Sequence, residues 1–120
     1  MKLKLTHSEL TVMAHYIDQV GSYIASQRQL FDVTKNHFTD LLRFDAMIEL
    51  ADEMKLSYQK KVIDKKPKYT IRINLIQMLI IISNASIAKL DPYAENVMLQ
   101  ITLAIEKEYL NQNFNMYAEN

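Results

Sequence analysis

The chain has 120 residues, with 14 Lys plus Arg balanced by 14 Asp plus Glu, no cysteine and a single glycine, Gly21. That length fits one domain around one core. The missing cysteines exclude disulfides, thiolate chemistry and Cys-based zinc sites. The lone glycine excludes phosphate-cradling loops and nucleophile elbows, and it argues against a many-turned β-sandwich.

Met1 to His7 carries charge with no apolar stretch behind it, which predicts no signal peptide and a cytoplasmic chain. The first helix should start at Thr6, because Thr6-His7-Ser8-Glu9 has the spacing of a capping box. Leu10, Met13, Ala14, Ile17, Val20, Gly21 and Ile24 then form one apolar stripe, and the helix should run to about Gln27–Leu30. Gly21 lies on that inward stripe, where close helix packing is its expected use.

The second helix has several candidate caps in Asp32, Thr34, Asn36 and Thr39. Its stripe is Leu41, Phe44, Met47, Ile48, Ala51, Met54, Tyr58 and Val62, with Asp45, Glu49, Asp52 and Glu53 on an adjoining face. Lys65-Lys66-Pro67-Lys68 should end it, since proline cannot continue a helix and restricts its predecessor.

Tyr69 to Leu75 alternates apolar and polar residues in the manner of a strand. A strand needs a partner, and the segment lacks an evident one, so a third helix over 70–89 capped by Thr70 is expected. It would carry two apolar stripes, Ile71–Leu75–Met78–Leu79–Ile82–Ala85 and Ile73–Ile76–Ile80–Ile87, as a central helix does. The longest unbroken apolar run there, Met78 to Ile82, is far short of the roughly 20 residues of a membrane span. Asp91-Pro92 starts the fourth helix, with a carboxylate at the cap and proline at the first helical position. Ala94, Val97, Met98, Ile101, Ala104 and Ile105 form its stripe, and it should fade near Leu110–Gln112. The expectation is an all-α, single-domain bundle of about four helices over residues 1–112, up-and-down antiparallel, with a frayed tail at 113–120.

The chemistry-bearing residues are sparse. His15-x-x-Asp18 and His37-x-x-Asp40 each place an imidazole and a carboxylate on one helix face. Two such pairs on neighbouring helices could hold zinc or iron, but His15 and Asp18 sit on the most polar face of the first helix. The helix-two carboxylates have few apolar neighbours and read as solvated, not as an acid–base pair. Met13, Met47, Met54, Met78 and Met98 all fall on core stripes and read as core filling. No cofactor, metal or catalytic residue is expected.

Charge is unevenly placed. Residues 54–90 hold eight of the cations and one carboxylate, Asp64. Lys60, Lys61, Lys65, Lys66, Lys68 and Arg72, with Tyr69 among them, could bind phosphates and stack a base. An intramolecular alternative sets Glu106 and Glu108 beside that basic tip. The most informative feature is surplus apolar surface. Val12, Tyr16, Tyr23 and Leu30 make a second stripe on the first helix, and Leu99, Leu103 and Leu110 make one on the fourth. These seven residues are the candidate interface. The sequence therefore predicts a non-catalytic helical protein–protein interaction domain that forms a homodimer. The alternative is an accessory nucleic-acid-binding protein that uses the basic segment.

Overall fold

The structure, a computed structural model, describes residues 1–31 and 37–118, with side chains through Gln112. The described residues form four helices and one two-stranded sheet in the order β1 (Lys2–Leu5), α1 (His7–Arg28), α2 (Phe38–Ile63), β2 (Tyr69–Arg72), α3 (Leu75–Ser83) and α4 (Pro92–Ala118). This is the expected all-α bundle of about four helices, with a small sheet added.

α1 begins where its capping box predicts. Thr6 Oγ1 accepts from the Glu9 amide at 3.2 Å, and the Glu9 carboxylate accepts from the Thr6 amide at 2.8 Å. α1 and α2 form an antiparallel hairpin. His7 Nε2 lies 3.1 Å from the Val62 carbonyl, Lys55 pairs with Asp18 at 3.6 Å, and Arg28 grips Asp45 through two nitrogens. The apolar stripe of α2 faces α1, while Asp45, Glu49, Asp52 and Glu53 are exposed as predicted. Three of the candidate caps of α2, Asp32, Thr34 and Asn36, lie outside the described residues. The helix starts after His37, and Thr39 is within it.

Gly21 faces Ala51 of α2, but the packing does not require a glycine. A Cβ built there would meet the Ala51 Cβ at 3.6 Å, ordinary contact, beside a hollow of about 180 Å³. Glycine inside a helix costs about 0.5–1 kcal/mol relative to alanine. Gly21→Ala is therefore expected to stabilise the protein by about that amount, read as a higher urea midpoint. A lower midpoint would show that the hairpin needs the closer approach.

The third predicted helix is replaced by a strand, a two-residue link, a short helix and a turn at 84–87. Tyr69 and Ile71 point into the core and Thr70 and Arg72 point out, the period-two pattern of the sequence. The partner is the N-terminal segment Lys2–Leu5, whose Leu3 and Leu5 are buried and whose Lys2 and Lys4 are exposed. The two run antiparallel with Lys2 opposite Arg72 and Leu5 opposite Tyr69. Thr70 is in the strand and caps nothing. The cap of α3 is Asn74, whose side chain accepts from the Gln77 amide at 2.9 Å while Gln77 accepts from the Asn74 amide at 2.9 Å. α3 ends at Ser83, where side chains reach back to its carbonyls. Ser83 Oγ donates to Leu79 at 2.5 Å, and Asn84 Nδ2 donates to Ile80 at 2.7 Å.

α3 is therefore not the central helix. Met78, Ile80 and Ile81 are buried, whereas Ile76 and Leu79 are exposed. The central element is α1, which packs against α2, α4 and β1. Gln19 of α1 holds the segment before α4 in place, donating to the Lys89 carbonyl at 2.9 Å and accepting from the Lys89 amide at 2.7 Å. α4 begins as predicted, with Asp91 Oδ1 accepting from the Ala94 amide at 2.8 Å. It does not fade at Leu110–Gln112 but continues as helix to Ala118. No described helix is long and apolar enough to cross a membrane.

Candidate interaction surfaces

The seven residues of the two surplus stripes separate into three groups. Tyr16 is not surface at all. It is 1% exposed, and its hydroxyl donates to the Ile81 carbonyl at 2.5 Å. α1 is covered on that side by residues 85–90 and by Met98, Leu99 and Thr102 of α4, which border a hollow of about 240 Å³ around Tyr16. Val12, one turn earlier, is half-buried against the same core. The second stripe of α1 is thus intramolecular core over its first half, and Tyr16 leaves the candidate interface. Tyr23, further along α1, and Leu30, in the turn just past its end, are exposed.

The α4 stripe is exposed throughout. Leu99, Leu103 and Leu110 are 53%, 51% and 66% exposed. At 100° per residue they fall within about 40° of one another and about 150° from the mean direction of the buried Ala94, Val97, Met98, Ile101, Thr102 and Ile105. Leu103 and Leu110 line the outward side of the helix, and Leu99 stands at its margin, half exposed while also bordering the hollow around Tyr16. Ile76 and Leu79 of α3 add apolar exposure that periodicity alone assigned to a central helix.

The basic segment is exposed at Lys60, Lys61, Lys65, Lys66, Lys68 and Arg72. Lys66 pairs with Asp64 at 3.4 Å. Among the described residues no ion pair joins these cations to Glu106 or Glu108. Tyr69 is not available for stacking. Its ring is buried, and its hydroxyl donates to the Asp64 carbonyl at 2.6 Å and accepts from the Lys66 amide at 2.9 Å. The tyrosine shapes the loop after α2 instead of presenting a face to a base.

A slot of about 440 Å³ separates α2 from β2. Met54, Ser57, Tyr58 and Lys61 line one side, Thr70, Ile71 and Arg72 the other. Sequence reasoning missed it, because it exists only once β2 is a strand. Tyr58 is buried, and among the described residues its hydroxyl is the one buried side-chain polar atom with no hydrogen-bond partner. Burial pushes its pKa up to about 12, and burial pushes Tyr16 higher still. The carboxylates of Asp52 first, and Asp18 after it, raise the Lys55 ammonium above its ordinary value, and Asp45 does the same for the Arg28 guanidinium.

The two His-x-x-Asp pairs are not brought together. His15 shares a hydrogen bond with Gln19 at 2.8 Å, and His37 lies 3.7 Å from Asp40. Among the described residues no three His, Asp or Glu side chains gather closely enough to hold an ion. No protein-family model, curated protein or solved structure matches this chain.

Proposed function

We propose that the protein is a non-catalytic helical interaction module that self-associates through α4. The observation that carries this reading is the exposed row of Leu99, Leu103 and Leu110, opposite the buried face of the helix. Exposed leucines scattered singly need no explanation, but an aligned row along one helix is an unmatched seam. A twofold pairing of antiparallel α4 helices suits this seam, because centring it between Leu103 and Glu106 lays Leu99 of one copy over Leu110 of the other. The row spans about 17 Å at 1.5 Å per residue. Ile76 and Leu79 of α3, which packs on α4, offer further apolar area. Zero net charge opposes association only weakly.

The test is sedimentation velocity across protein concentration. The wild type is expected to sediment as a dimer, and Leu99→Glu with Leu103→Glu as a folded monomer with an unchanged helical circular-dichroism spectrum. Both leucines are half in solvent, so a glutamate at either position can turn its carboxylate to water. A wild type that is monomeric at high micromolar concentration defeats the reading. The nucleic-acid alternative keeps its exposed lysines but loses its stacking aromatic, Tyr69, and takes second place.

A further inference from the structure

We infer that the open edge of β2 is a docking site for an extended acidic peptide, which adds there as a third strand beside α2. The inference starts from the hydrogen-bond alternation of an antiparallel pair. Met1 and Ile73 exchange both backbone bonds, at 2.9 and 3.2 Å. The register then makes Leu3–Ile71 the next bonded pair, and Lys2–Arg72 and Lys4–Thr70 the unbonded ones. The amide and carbonyl groups of Thr70 and Arg72 consequently point away from β1. Among the described residues none of these four groups meets a protein partner.

Both strands of a two-stranded sheet have an open edge, but the two edges differ. The outward positions of β1 are Lys2 and Lys4, and lysine on an edge strand discourages pairing. The edge of β2 is bordered by the 440 Å³ slot, whose far wall is Met54, Ser57 and Tyr58 of α2. An added strand would turn alternate side chains into that slot, where Met54 and the Tyr58 ring offer apolar contact. The unpartnered Tyr58 hydroxyl lies in the same wall, and the buried polar groups of proteins are otherwise almost always paired. This is the arrangement that strand addition exploits, with backbone bonds supplying affinity and alternate pockets supplying selectivity.

Charge selects the peptide. Lys61 and Arg72 flank the slot, with Glu53 the acid among its lining residues. An adjoining hollow shares Lys61 and Thr70 and adds Lys66 and Lys68, with Asp64. Lys2 lies directly opposite Arg72 in an unbonded pair, the closest cross-strand approach, where like charges destabilise. A carboxylate opposite Arg72 relieves that repulsion. The fitting sequence alternates acidic side chains toward Arg72 and the lysines with apolar ones toward Met54. The slot is built by α2 and β2, so the inference stands apart from association through α4.

The test uses a short, end-blocked, fluorescent peptide alternating glutamate and valine, titrated with the full-length protein at low salt. Three comparisons accompany it: the same peptide N-methylated at alternate backbone nitrogens, a lysine–valine peptide, and an oligothymidylate. Binding of the acidic peptide is expected, weakened about tenfold or more by N-methylation, and by Lys61→Glu with Arg72→Glu in the protein. Bound peptide should slow amide exchange at Thr70 and Arg72 and leave Lys2 and Lys4 unchanged. Undiminished binding of the N-methylated peptide, tighter binding of the oligothymidylate, protection at Lys2 and Lys4 instead, or no binding at millimolar peptide would each overturn the inference.

Discussion

Tyr16→Glu is expected to unfold the protein and not to release a monomer. Tyr16 stands on the same helical stripe as the exposed Tyr23, yet it is buried, and its hydroxyl donates to the Ile81 carbonyl 65 residues away. The substitution removes the ring from the contact between α1, the segment after α3, and α4. It also aims a carboxylate at the Ile81 carbonyl, in a position 1% exposed whose one charged lining residue is Glu95, and an unpaired buried charge costs several kcal/mol. Total stability of a domain this size is about 5–15 kcal/mol, so the loss is comparable to the whole. Tyr16→Phe isolates the hydrogen bond. It keeps the ring and strands the Ile81 carbonyl, at a cost of about 1–3 kcal/mol. Urea unfolding followed by circular dichroism reads both variants. A Tyr16→Glu protein that melts like the wild type would mean that the residue is surface after all.

The second large effect concerns β1. Leu3 and Leu5 are buried against Ile71, Tyr69 and the α1 core, although they sit in a four-residue strand. Each leucine-to-alanine change in a core costs about 2–5 kcal/mol. The two share neighbours and do not simply add. Leu3→Ala with Leu5→Ala is expected to remove a large part of the stability and to raise amide exchange at Ile71, whose ladder partner is Leu3. The matched control, Lys2→Ala with Lys4→Ala, alters the exposed positions of the same strand and should stay within about 0.5 kcal/mol of wild type. If the leucine pair proves as mild as the lysine pair, β1 is an appendage and the core does not depend on it.

Within the candidate site, the parts carried by one helix were legible from residue order. The row Leu99, Leu103 and Leu110 is exposed as its spacing implied, because α4, unlike α1, has neighbours on one side only. The basic residues from Lys60 to Arg72 are exposed for the same kind of reason, since six cations in thirteen positions cannot enter an apolar core. The fate of Tyr16 and Tyr69 was not legible. An amphipathic aromatic can serve an interface, stack a base or fill a core, and only its neighbours decide. For Tyr16 those neighbours are residues 85–102, and for Tyr69 they are the backbone of Asp64 and Lys66.

The sequence alone determined the helical class, the start of α1 at Thr6, the start of α4 at Asp91-Pro92 and the inward stripes of α1, α2 and α4, except that Ala104 is exposed and Thr102 is buried in the α4 stripe. Each of these rests on hydrogen bonds and periodicity within a few consecutive residues. The Asn74-Leu75-Ile76-Gln77 capping box that starts α3 is equally local, but it lies inside the apolar periodicity of 70–89, which masks it. Only the tertiary structure decided that 69–72 is a strand. The bonds of a strand come from another segment, and here that segment is Lys2–Leu5, across the whole of α1 and α2. The slot beside Tyr58 and the open groups of Thr70 and Arg72 follow from that one long-range pairing, which no local pattern encodes.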